Sequence, residues 1–241
     1  LLISQGLGWF VHIFSKYFSV AYGMYDTGNF AHLIFNISSG RGFYHYVLQT
    51  SAWSDHFTPN LALLAPLFWI KPTIIWLPIV RLFAYLACLP ILWKISKFYL
   101  RDKRYQYLVL ILWLINYALL RMLSWEFHFS SIALPFLLLS FYLYLKKYYI
   151  LFVLNLFFLL GFKEHMALAL LSVGIWLFLF EKARRQGVFI MAGGIIAGII
   201  IMYILTPLLS GGIDSHQLEK FGPFKLLPQK AEFIFLVLLS V

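Results

Sequence analysis

The sequence predicts an all-α, polytopic transmembrane protein, and three observations carry that prediction. The 241 residues are 62% hydrophobic and 12% charged, with a mean hydropathy of +0.84, whereas soluble domains are about half apolar and a quarter charged. The stretches 106–120, 129–145 and 188–209 contain no Asp, Glu, Lys or Arg, so a soluble fold would have no polar surface to lay over them and lipid must serve as their solvent. Finally, Lys and Arg gather in alternate linkers between apolar runs, which is how membrane helices are oriented.

In chain order, residues 1–72 read as a large external loop carrying juxtamembrane helices. "GWFVHIFSKYF" (8–18) has the aromatic and basic character of an interfacial segment. "AHLIFNISSGRGFYHY" (31–46) reads as a short amphipathic helix ended by a glycine-bearing turn at Ser38 to Gly42. "PNLALLAPLFWI" (59–70) is 12 residues long and interrupted by proline, which suits an interfacial or re-entrant helix better than a span. If it did cross, Asp26 and His56 would change sides.

The expected transmembrane helices are 73–93, 105–121, 129–145, 148–162, 166–180 and 188–209, with a further span beginning near 231. Pro78 and Pro90 should bound or kink the first of them. The sequence opens at Leu1 and stops within the apolar run "FIFLVLLSV", so it is expected to be a fragment lacking a first span and a C-terminal part. No internal repeat or low-complexity linker divides it, and residues 1–241 form a single membrane domain.

Charge then sorts the linkers. Lys94, Lys97, Arg101, Lys103 and Arg104, Lys146 and Lys147, and Lys182, Arg184 and Arg185 mark three linkers as cytoplasmic, accompanied only by Asp102 and Glu181. The remaining acids and all seven histidines, including Asp214, His216, Glu219 and Glu232, fall on the non-cytoplasmic side. The net charge of +10 therefore reflects membrane orientation rather than a nucleic-acid surface. Cys88 is the only cysteine, which rules out an intrachain disulfide or a cysteine zinc cluster.

No phosphate-binding glycine loop, nucleophile elbow or paired-histidine metalloprotease helix is present. What remains is four polar islands on one face: "YDTGNF" (25–30), "SDHFTPN" (54–60), "WEFHF" (125–129) and "FKEHMA" (162–167). Asp26 is a general base or metal ligand, or the cap of a helix starting near Asn29. Asp55 is placed to cap the helix beginning at Pro59, which leaves His56 to be explained. Glu126 and His128 share a site only if their backbone is not helical, and otherwise form polar tips of an interfacial belt. Lys163, Glu164 and His165 open a span, where ionisable groups are rare and usually functional, although the helix dipole and snorkelling give a structural account. Arg81, deep in a span, must snorkel or pair with an anionic group, and Arg41 in "SGRG" has the fork of donors that holds phosphate. Gly194 and Gly198 in "GGIIAG" are read as helix packing.

In this order, "YDTGNF", "SSGRGF", "DHFTPNLALLAPLF", "WEFHFSSIALPFLLLSFYLYL" and "FKEHMALAL" resemble the prokaryotic membrane proteins grouped as domain of unknown function 2079, over residues 20 to 180. That family in turn resembles the GT-C glycosyltransferases, polytopic enzymes with a lipid-phosphate-linked sugar donor. Asp26 matches the family's Phe-Asp-Leu-Gly-like motif, His56 its His-Phe-Ser-Pro-like motif, His128 its Phe-His motif, and Lys163 with Glu164 its Lys-Glu-Asp-like motif. Thr27, His32, Phe129 and His165 depart from the usual residues, and the adjacent carboxylate pair of many GT-C first loops is absent, which leaves a divalent metal open.

The resemblance implies a GT-C-like fold, and transfer of a sugar from a polyprenyl-phosphate donor to an unknown acceptor at the non-cytoplasmic membrane face. Asp26 would be the base. Lys163, His56 and His128, with Arg41 or Arg81, would meet the departing phosphate, and Glu164 would orient Lys163 or His165. The same groups fit a transporter or channel with a polar path, or a non-catalytic scaffold whose islands are caps and belts.

Overall fold

A computed structural model describes residues 2–46 and 49–210, which are mostly helical. Helix α1, Leu2–Phe18, is followed by a π-helical turn, Met24–Gly28, and α2, Asn29–Ser38. Gly40 and Gly42 have positive φ and close the turn expected at Ser38 to Gly42. A two-residue hairpin the sequence did not announce comes next, β1 Tyr44–His45 paired antiparallel with β2 Thr50–Ser51. The buried Asn36 fastens it by donating to the Tyr44 carbonyl at 2.8 Å.

Residues 59–70 form a 3₁₀ turn, Pro59–Leu64, leading into α3, Ala65–Ile70. The segment docks by its ends: Asn60 donates its side chain to Phe158 O and its N–H to Gly161 O, and the Trp69 indole donates to Ser38 O. The bundle proper consists of α4 Trp76–Tyr99, α5 Lys103–Ile115, α6 Tyr117–Ser124, α7 Leu134–Leu145, α8 Tyr149–Leu160, α9 Met166–Leu179 and α10 Arg184–Ile200. A π turn, Ile201–Leu205, extends α10 into α11, Thr206–Ser210.

Two helical stretches are long and apolar enough to cross a membrane, Trp76–Tyr99 and Arg184–Ser210. The expected continuous span 105–121 is broken instead. Asn116 leaves helical geometry at ψ 114° and its side chain accepts from Leu119 N at 3.1 Å, so it ends α5, caps α6 and bends the pair by 40°. Phe129–Leu145, Tyr149–Leu160 and Met166–Leu179 occupy the next three expected spans as shorter apolar helices, cut off by tight turns at Lys147 and Lys182, both at positive φ. Their outward faces remain apolar: Ile150 and Phe157 are largely exposed, as lipid-facing side chains are. The further span expected near 231, with Asp214, His216, Glu219 and Glu232, lies outside the described residues.

Residues 2–18 pack against the bundle. Gln5 reaches Leu114 O at 2.8 Å, Lys16 reaches Ser124 O at 3.0 Å, and the Tyr17 hydroxyl meets Thr73 Oγ1 at 3.1 Å. Helix α1 thus runs along the bundle, and its Ile13 is buried with Leu82, Tyr85, Leu89, Leu114 and Leu123.

A second core joins α2, α3 and α7 to α9 around Ile34, Leu61, Phe127, Leu159 and Val173. Helices α9 and α10 approach most closely through glycine. A Cβ on Gly174 would lie 2.8 Å from Gly187 O, and one on Gly194 would lie 2.9 Å from Ala167 O. Gly194 and Gly198 serve packing, as the sequence predicts.

Two ends of the bundle differ in chemistry. The three basic linkers come together at one: Lys146 lies over the Phe98 ring, and the Tyr99 hydroxyl donates to Glu181 at 2.6 Å. The four polar islands meet at the other.

Candidate functional site

The Met24–Gly28 turn carries Asp26, and its hydrogen bonding explains which way that carboxylate faces. Gly28 N–H reaches back to Gly23 O at 3.3 Å. Thr27 next door is fully buried and donates both its N–H and its hydroxyl to Glu126 Oε2, while Gly23 N–H donates to Glu126 Oε1 at 2.7 Å. Adjacent residues on a helical turn diverge by about 100°. With Thr27 directed inward to Glu126, Asp26 is directed out, and it caps neither its own turn nor α2, whose N-cap is Gly28.

Glu126 is therefore an anchor for this turn. Burial alone would push its pKa up, but the donors from Thr27 and Gly23 and the charge of Lys16 outweigh that and hold it below the ordinary carboxyl value. Arg81 completes the support. It is buried in α4 and donates to the carbonyls of Leu123, Trp125 and Glu126 at 2.7 to 2.9 Å. Those carbonyls end α6, where helices leave acceptors without partners and carry partial negative charge.

A cavity of about 170 Å³ lies over Asp26, lined by Asn29, His45, Asp55, His56, Thr58, His128 and Lys163 among others. His128 Nε2 is 3.7 Å from Asp26 Oδ2, with both side chains nearly half exposed. On the facing wall, His56 sits between two carboxylates, Nδ1 being 3.1 Å from Glu164 Oε1 and Nε2 3.8 Å from Asp55 Oδ2. Glu164 also accepts from Phe57 N at 3.2 Å. It is thus an orienting partner of His56.

His56 and Lys163 also belong to a second, larger space. A groove of about 650 Å³ between α9 and α10 is lined by His56, Lys163, Glu164 and His165 at one end and by Leu168, Leu171, Ile195, Ile199, Met202 and Tyr203 along its length. Burial first, then the Lys163 charge, lowers the His165 pKa, with Glu164 opposing. Burial likewise lowers that of His45, with Asp55 opposing.

Of the residues expected to act, Asp26, His56, His128 and Lys163 are brought to one cavity, and Glu164 and His165 to the adjoining groove. Three further expected substrate contacts line neither space. Glu126 anchors the turn, Arg81 holds backbone carbonyls, and Arg41 is exposed on the Ser38 to Gly42 turn with its guanidinium 5.7 Å from the Phe35 ring. Sequence reasoning misses Asp55 and His45. It makes Asp55 a helix cap, yet the N-cap of the Pro59 turn is Thr58 and no side chain caps it. The adjacency of Asp55 to His56 is the available signal. His45 gives none, because the hairpin that carries it is two residues a side.

The family model described as predicted membrane protein (DUF2079) matches residues 16–238. The chain belongs to this family. No curated protein and no solved structure matches it. The match of this DUF2079 chain extends over α2 to α11 and includes all four polar islands.

Among the described residues of this DUF2079 protein, no three His, Cys, Asp or Glu side chains converge as metal ligands do. The cavity offers a carboxylate beside an imidazole on one wall, and an imidazole held by a carboxylate next to a lysine on the other. That set suits proton transfer and the holding of an anionic group.

Proposed function

We propose that the protein transfers a sugar from a lipid-phosphate-linked donor to an acceptor hydroxyl, as the resemblance of its family to GT-C glycosyltransferases implies. The observation that carries this reading is the shared wall: His56 and Lys163 line both a small polar cavity and a long apolar groove. A ligand spanning the two has a polar head and a hydrocarbon chain. The groove has the volume of sites that bury sizeable ligands, whereas the cavity admits only a compact polar group.

In this scheme Asp26 accepts the proton of the acceptor hydroxyl as its oxygen attacks the anomeric carbon. The bond between that carbon and the phosphate oxygen breaks, a glycosidic bond forms, and the lipid phosphate leaves with the electron pair. Lys163 and His56 lie where that negative charge grows, and stabilising it there lowers the barrier. His128 holds the Asp26 carboxylate. No step is assigned to a metal. The proposed face is the non-cytoplasmic one, since the basic linkers collect at the other end.

A transporter would need polar groups along mid-span. Arg81 and Asn116 bond to backbone partners, and Asn155 bonds Phe136 O and Ser140 Oγ at 2.8 Å between α7 and α8. These bonds favour a site at one end. The test is Asp26→Asn in the full-length protein, reconstituted with lipid-linked sugars extracted from membranes. Transfer should fall about 10² to 10⁴-fold, the contribution of a positioned base; unchanged transfer removes Asp26 from that role.

A further inference from the structure

A second cavity of different character lies at the opposite end of the bundle, between the last turns of α4 and α7. Its volume is about 400 Å³ and its lining is Lys94, Lys97, Phe98, Tyr142 and Lys146. From Arg81, level with the Glu126 carbonyl, to Lys97 is about 24 Å along α4.

The two helices build it reciprocally. Phe98 and Tyr142 meet edge to face, 6.4 Å between centroids. Lys94 of α4 lies 5.4 Å from the Tyr142 ring centroid, and Lys146, the C-cap of α7, lies 5.5 Å from that of Phe98. Each helix thus sets a cation over the other's aromatic ring. Lys97, 4.9 Å from the Trp93 ring, supplies the third charge. Cation–π contacts fix where the ammonium groups sit and leave their charge uncompensated. No carboxylate lines the cavity, and among the described residues none forms an ion pair with these lysines.

All three lysine side chains are exposed, yet they do not spread apart over the surface. Here three converge on one cavity from two helices, an arrangement that an anion stabilises. We propose that the cavity binds the phosphate of an anionic phospholipid headgroup. A lipid is favoured over free phosphate because aromatic side chains at the same level, Phe98, Tyr99 and Tyr107, are about half exposed, as in the belt where a protein meets headgroups. Basic pockets between membrane helices hold such headgroups. The inference is independent of the transferase reading, since it involves no residue of the Asp26 cavity.

The experiment is native mass spectrometry of the full-length protein in non-ionic detergent, titrated with phosphatidylglycerol or with phosphatidylcholine. The wild type should retain phosphatidylglycerol preferentially. The triple variant Lys94→Gln, Lys97→Gln, Lys146→Gln should bind it at least about tenfold more weakly, each lysine near a headgroup contributing to affinity. The corresponding triple Lys→Arg variant should keep the preference, which separates charge loss from misfolding. Exposed Lys103→Gln with Arg104→Gln, at the same end, should also keep it. An unchanged preference in the triple Gln variant overturns the proposal. So does equal loss in the Lys103/Arg104 control, which means diffuse charge, or displacement of the lipid by inorganic phosphate at matching concentration, which means an ion site.

Discussion

Replacing Glu126 by alanine removes the acceptor for three donors, and the structure allows the cost to be worked out. Thr27 is fully buried, so its N–H and hydroxyl both lose their partner with no water to replace it. Each buried donor left unsatisfied costs about 1–3 kcal/mol. Gly23 is exposed and its N–H turns to solvent at little cost. The net loss is about 2–6 kcal/mol, which lowers the melting temperature of a chain this long by roughly 4–24 °C. Tryptophan fluorescence during heating of the detergent-solubilised protein measures it. Thr27→Val removes the same hydroxyl and also the acceptor for Phe127 N–H. The two substitutions should therefore couple by about 1–2 kcal/mol in a double-mutant cycle, as residues of one network do. Additivity within about 0.5 kcal/mol, or an unchanged melting temperature in Glu126→Ala with loss of ligand binding alone, would return Glu126 to the substrate and refute the anchoring role.

Arg81→Met leaves the Leu123, Trp125 and Glu126 carbonyls without their donor and should destabilise by about 1–3 kcal/mol for each one left unsatisfied; Arg81→Lys should recover only part, since an ammonium lacks the planar fork, and chemical denaturation distinguishes the two. Gly174→Ala should lower the melting temperature by forcing α9 and α10 apart, an overpacking cost of about 1–3 kcal/mol, while Gly193→Ala, with nothing within 4 Å of its Cβ, should not. The lowered pKa of His165 means that the folded state holds that proton more weakly than the unfolded chain. Stability should therefore fall as pH drops below 6.5 toward the depressed value, and His165→Gln should flatten that part of the profile. Glu126, also depressed, contributes stability that is complete above pH 4.5 and lost as pH falls through its folded value, so Glu126→Gln should flatten the acid limb instead.

The apolar runs made the helices legible, and isolated polar residues within them marked the islands that converge on one cavity. Side-chain direction in irregular backbone was not legible. Glu126 and His128 are two residues apart, yet one turns to Thr27 and the other to Asp26, because local φ and ψ set those directions rather than a period. Arg81 is recognisable in the sequence as buried, but an anionic group is the partner that burial suggests. The partner is the C-terminal end of α6, whose carbonyls carry partial rather than full negative charge. The packing of α1 is hidden for a related reason: Gln5 and Lys16 are joined to residues more than a hundred positions away.

The widened turn at Met24–Gly28 makes chain length itself a control on the Asp26 cavity. A π turn contains one residue more than the α turn it replaces. Deleting a single residue between Met24 and Asp26 would let the segment relax to α geometry and rotate the downstream residues by about 100°. Thr27 would then turn away from Glu126 and Asp26 away from His128. The turn behaves as a spacer set to one length, tolerant of substitutions that keep its hydrogen bonds and intolerant of any change in the number of residues.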